Sequence, residues 1–102
     1  MDDDKLDLLG LWVTDPDDLS SLREYGRSSM DFQPDGQLIY TIFQEGNRQV
    51  MLLVYRVQGN FLVTDQPSSP REERTRFEIR GDTLTLFYQD HQSTYMRSVE
   101  SS

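Results

Sequence analysis

Few side chains in this sequence are of types that do chemistry, and their spacing decides what they can do. His91 is the single histidine, and histidine is the side chain most often used for acid–base catalysis. It follows Asp90 in a short polar stretch between two apolar runs, which reads as a solvated turn. One histidine cannot assemble a histidine-based metal site. Asp15, Asp17 and Asp18 supply the oxygen donors a hard cation takes. The later glycine and glutamate of an EF-hand loop are missing, and a helix start accounts for all three acids. Ser28, Ser29, Ser68 and Ser69 have neither a Gly-x-Ser-x-Gly setting nor a nearby base, so none reads as a nucleophile. Pro67-Ser68-Ser69-Pro70 matches a bare P-x-x-P and reads as a loop between strands. Arg74, Arg76 and Arg80 alternate with Thr75, Phe77 and Ile79, which gives a polar outer face paired with acids such as Glu78. The sharper alternative turns an arginine inward to hold an anionic head group. These residues assign no catalytic group, no metal ligand and no cofactor, and the expectation is a protein that is not an enzyme.

Composition narrows the classes further. The chain has 102 residues, a net charge of −8 and no cysteine, with a pI near 4.4. That length suits one domain, 1–102, with one core. The acidic balance argues against nucleic acid and against anionic membrane surfaces as partners. Without cysteine there is no disulfide framework, thiol catalysis or Cys-ligated metal. No stretch has the length and apolarity of a signal peptide core or a membrane span, and the expected compartment is the cytoplasm. Residues 1–8 read as a frayed, charged lead-in, and Asp2-Asp3-Asp4-Lys5 resembles part of an enterokinase-cleaved tag.

The elements that must position these residues are strands. A first strand spans about Leu9–Thr14. Asp15 then caps a short helix over Pro16–Tyr25, with Asp17 and Asp18 at the positive end of its dipole. Leu19, Leu22 and Tyr25 form its apolar stripe, laid over an end or side of the domain, and Gly26 ends it. Strands follow at Arg27–Gln33, Gln37–Gln44, Arg48–Val57, Phe61–Asp65, Glu72–Arg80, Thr83–Tyr88 and Gln92–Ser98. Turns at Pro34-Asp35-Gly36, Glu45-Gly46-Asn47, Gln58-Gly59-Asn60, Gly81-Asp82 and Asp90-His91 separate most of them. The longest irregular stretch, Gln66–Pro70, holds two prolines that cannot serve a ladder. About eight strands with tight connections predict an all-β, antiparallel up-and-down meander that closes into a barrel.

Gly10-x-Trp12 on the first strand, one early helix, the meander, and Tyr95-x-Arg97 on the last strand resemble the calycin superfamily. Within it the chain is similar to small bacterial lipocalin-like domains. The resemblance covers nearly the whole layout but rests on two short motifs. It implies that Gly10, Trp12 and Arg97 close one end of the barrel, with the tryptophan packed under the arginine as a cation–π pair. The chain is shorter than a typical lipocalin, which implies a shallow cup. Intracellular fatty-acid-binding proteins, also similar at the C-terminus, hold a carboxylate with Arg-x-Tyr on the last strand. Here the arginine position is Ser93, against carboxylate binding of that kind.

An eight-stranded barrel is just wide enough to be filled by side chains or to hold one small ligand. The expected ligand-lining residues are Tyr40, Met51, Leu53, Tyr55, Phe61, Tyr88 and Tyr95, where large apolar bodies and tyrosine hydroxyls would suit a hydrophobic or amphipathic molecule. A one-residue error in parity would swap the faces of any strand. Leu38–Phe43 and Val50–Tyr55 are apolar on both faces, so the hairpin 37–57 needs outside cover; the Leu19/Leu22/Tyr25 helix could supply some and a second subunit the rest, and the expectation is a homodimer through this hairpin. Two functions follow: a non-catalytic binder of a small hydrophobic or amphipathic ligand, or an interaction module whose barrel is filled.

Overall fold

The computed structural model describes residues 7–44, 46–68, 70–87 and 91–98, with positions 21, 24 and 25 described by backbone alone. The strands are β1 (Gly10–Thr14), β2 (Arg27–Phe32), β3 (Gln37–Gln44), β4 (Asn47–Gln58), β5 (Phe61–Asp65), β6 (Glu73–Arg80), β7 (Thr83–Phe87) and β8 (Gln92–Arg97), with helix α1 (Leu19–Tyr25) between β1 and β2. They form a closed barrel in sequence order. Every neighbouring pair is antiparallel, and β1 pairs with β8 through Trp12↔Arg97, Val13↔Met96 and Thr14↔Tyr95. The expected all-β meander barrel is the fold.

The core follows from the alternation along each strand. Trp12, Met30, Phe32, Leu38, Tyr55, Leu62, Phe77, Leu84, Leu86 and Tyr95 are buried in one cluster inside the barrel. Their register is continuous around the wall: Phe32 lies opposite Leu38, Leu38 opposite Leu53, Phe77 opposite Leu86 and Leu84 opposite Tyr95. On β6 the inner positions are Phe77 and Ile79, so Arg74, Arg76 and Arg80 face outward and are exposed. Arg80 pairs with Glu78 on that outer surface.

The two ends of the barrel differ in their connections. One end carries the tight links between β2 and β3, β4 and β5, and β6 and β7. There Asp35 accepts the Gln37 N–H at 3.1 Å, and the Gln33 carbonyl accepts the Gly36 N–H at 3.2 Å. Gly36 has φ of 93°, a left-handed conformation that a side chain would strain. The other end carries α1 and the long β5–β6 connection.

Several sequence expectations change. The lead-in does not extend to residue 8: Asp7 and Leu8 form a helical turn, and Leu8 is fully buried in the core. The helix starts at Leu19 rather than Pro16, because Asp15 Oδ1 accepts the Asp17 N–H at 2.9 Å and the Asp15 carbonyl accepts the Asp18 N–H at 3.0 Å. This holds Pro16-Asp17 in a turn, and the first helical bond runs from Leu22 N–H to the Asp18 carbonyl. Asp18, not Asp15, therefore stands at the cap position. Leu19 is 62% exposed and leaves the expected apolar stripe. Finally, α1 packs chiefly on β2 and β8, so it does not cover the outer face of β4.

Candidate functional site

The closed end is built on Trp12. Its indole N–H donates to the Leu8 carbonyl at 2.8 Å, which folds the turn ahead of β1 under the barrel. Arg97 lies over the ring at 4.3 Å from guanidinium carbon to centroid. Its two terminal nitrogens donate to the carbonyls of Leu9 at 3.1 Å and Asp7 at 2.7 Å, and its Nε faces Asp82 at 3.4 Å. Gly10 has φ of 109°, and a Cβ there would stand 3.8 Å from an Arg97 nitrogen. The conformation, rather than crowding, is what calls for glycine at that point. Trp12 and Leu8 are both fully buried at this end.

At the opposite end the interior is hollow. A cavity of about 270 Å³ is walled by Met30, Leu38, Tyr40, Met51, Leu53, Leu62, Leu86 and Tyr95, with Thr64 and Thr75 among them. Asp65, Gln66, Arg71 and Glu73 stand at its rim, where β5 ends and β6 begins. The rim is internally braced: Asp65 Oδ1 accepts the Arg71 backbone N–H at 2.7 Å, and Arg71 Nε faces Glu73 at 3.5 Å. Tyr95 is held by a chain of hydroxyls. Its OH meets Ser28 Oγ at 3.1 Å, which meets Thr14 Oγ1 at 3.3 Å, and Thr14 Oγ1 also accepts the Ser28 N–H at 2.9 Å. All three residues are buried, and the chain fixes the tyrosine against the wall between β1, β2 and β8.

Of the residues expected to line a ligand, Tyr40, Met51, Leu53 and Tyr95 come together around this cavity. Tyr55 does not. It packs edge-on against Phe32 with centroids 5.0 Å apart and donates to the Gln33 carbonyl at 2.8 Å, toward the closed end. Burial, assisted by the Asp35 carboxylate, raises its hydroxyl above the ordinary value of 10.0. Phe61 is a correction of parity: Leu62 lies opposite inward Val57, so Phe61 faces out. An aromatic is tolerated there because Arg74 covers its ring at 4.9 Å, just as Arg76 covers Phe87 at 4.3 Å and Arg27 covers Phe43 at 5.4 Å. Tyr88 lies outside the described residues. The rim groups Asp65, Gln66, Arg71 and Glu73 were not singled out from sequence. Thr64 and Thr75 could have been found by strict alternation, since Thr75 shares a face with Phe77.

A second hollow adjoins the first. It measures about 490 Å³ and is lined by Gln37, Leu38, Val50 to Val54 and Gln66 to Ser68. It straddles β4, because β5 pairs only with Val54–Gln58 of that strand. Asn47–Leu53 therefore pairs with β3 on one side and with no strand among the described residues on the other. On the outer face of this stretch Val50, Leu52 and Val54 are 52%, 67% and 42% exposed.

No group of three or more acidic or histidine side chains that could hold a metal ion occurs among the described residues. No described helix is long and apolar enough to cross a membrane. No protein-family model matches the chain, and no curated protein matches it either.

Proposed function

We propose that this protein is a non-catalytic, lipocalin-like binder that holds one small hydrophobic or amphipathic molecule inside the open end of its barrel. The observation that carries this reading is the cavity of about 270 Å³, whose wall is mostly apolar and whose mouth is polar. Ligand sites are commonly apolar hollows with a few polar groups that fix orientation, and this one lies just below their usual size range, which suits a small ligand. The stacked Trp12–Arg97 pair at one end and the hollow at the other match the layout of calycin barrels. Charged outer positions on β4 and β6, such as Arg56, Arg74 and Glu78, suit an aqueous compartment, which we take to be the cytoplasm.

The test is a fluorescence titration with N-phenyl-1-naphthylamine, a neutral apolar probe. One saturable site with a blue-shifted emission is expected, and a Met51→Trp variant that fills the cavity should weaken it at least tenfold. A signal that grows without saturation, or that ignores the cavity-filling variant, would overturn the reading.

A second reading is carried by the outer face of β4. Val50, Leu52 and Val54 form an exposed apolar strip, a pattern that a second copy of the chain through the 37–57 hairpin would cover. Sedimentation velocity decides this: a dimer is expected at micromolar concentration and a monomer for Leu52→Asp. A wild-type chain that sediments as a monomer throughout excludes it.

A further inference from the structure

The inner cavity and the outer hollow share Leu38, Met51, Leu53 and Gln66 in their walls. They meet where β4 outruns β5, a gap in the barrel wall bounded on one side by the edge Asn47–Leu53, which no strand among the described residues pairs on that side, and on the other by the connection after Asp65. The exposed residues Val50, Leu52 and Val54 lie on the outer side of that gap, and Met30, Tyr40 and Leu86 on the inner side. An apolar surface thus runs from the barrel interior, past the β4 edge, onto the outside. In the monomer, where no second copy covers the strip, a compact ligand would cover only the inner half and leave the outer strip in water.

Resting on the proposed function, we propose that the ligand is a single-chain amphiphile that lies along this track, passing sideways through the β4–β5 gap. The head group is uncharged or cationic. The mouth brings Asp65 and Glu73 together with one arginine, and Arg71 is already engaged by Glu73. Arg97, the arginine nearest the core on the last strand, is committed to Trp12 and to two carbonyls at the closed end. The net charge of −8 adds a general penalty against an anionic head.

The experiment is displacement of N-phenyl-1-naphthylamine by a series of n-alkanols from hexanol to dodecanol, on the wild type and on Leu52→Ser. Leu52 is among the most exposed apolar residues, so the substitution leaves the fold intact, as an unchanged melting temperature would verify. Affinity should rise about three- to fourfold for each methylene buried. In Leu52→Ser, hexanol should bind as before while the gain from the longest chains is lost. Decanoate should bind at least tenfold more weakly than decanol or decylammonium. A rise that stops at short chains, with Leu52→Ser indistinguishable from wild type, overturns the track while leaving the cavity reading intact. Decanoate binding as well as decanol overturns the head-group assignment. Absence of any saturable probe or alkanol binding overturns the proposed function itself.

Discussion

Arg97 meets the Trp12 ring with its flat face while its nitrogens reach the carbonyls of Leu9 and Asp7 and the carboxylate of Asp82. Only a planar, forked cation does all of this at once. Arg97→Lys should therefore cost about 1–2 kcal/mol, from the lost fork and the weaker stacking. Trp12→Ala should cost about 3–5 kcal/mol, since it empties a fully buried site and releases the Leu8 carbonyl. Urea denaturation of each variant measures both. Tyr55 makes a prediction in pH. Its hydroxyl is raised above 10.0 in the folded protein, by burial first and by Asp35 second. As pH rises the unfolded chain ionises first, so the Tyr55 contribution is whole below about pH 10 and is lost as pH climbs through the higher folded value. Urea midpoints between about pH 8 and 11 should fall less steeply for Tyr55→Phe than for wild type. Equal slopes would contradict this.

Among the elements, β1 and β2 show how a side chain can lengthen a ladder. The paired register ends at Val13↔Ser29, and one position further Thr14 Oγ1 accepts the Ser28 N–H and donates to the Ser28 carbonyl at 3.0 Å. Thr14→Val keeps the shape and leaves a buried N–H unpaired, so it should cost about 1–3 kcal/mol. Amide exchange at Ser28 should accelerate by more than at other β2 positions, and uniform acceleration would contradict the local origin. Most elements were legible in the sequence because every strand but β8 has a glycine-bearing or proline-bearing connection on at least one side, and because inner and outer residues alternate on β6 and β7. The misses have local causes. Pro16-Asp17 carries helix-start chemistry, yet the Asp15 side chain spends it on a turn. Phe61 looks like a core residue by type, and only its register opposite Gln58 and Arg76, under an arginine, places it outside. Leu8 precedes the first strand by two residues, and nothing in its own sequence neighbourhood signals that Trp12 will draw it in. The β4–β5 gap depends on β4 having 12 residues and β5 having 5, a mismatch that apolar runs suggest but do not establish.

At the scale of the whole molecule, eight short strands enclose a space that large side chains fill from one end only. Trp12, Phe32, Leu8 and Leu84 are fully buried at the closed end and in its neighbourhood, while methionine, threonine and tyrosine at the open end border the hollow of about 270 Å³. The asymmetry follows the connections: the tight turns and the tucked residues before β1 lie at one rim, whereas the described ends of the long β5–β6 connection, Gln66 and Arg71, line the mouth of the hollow at the other. The methionines report on this division directly. Met30 and Met51 line the cavity, and Met96 is exposed on the outer face of β8. The most direct test of an interior binding site is an NMR titration of methyl-labelled methionines with n-decanol. The account predicts saturable shifts of the Met30 and Met51 methyl signals with the same dissociation constant, and an unmoved Met96 signal. Saturable shifts at Met96 with Met30 and Met51 unmoved, or no saturable shift at any methionine, would contradict it.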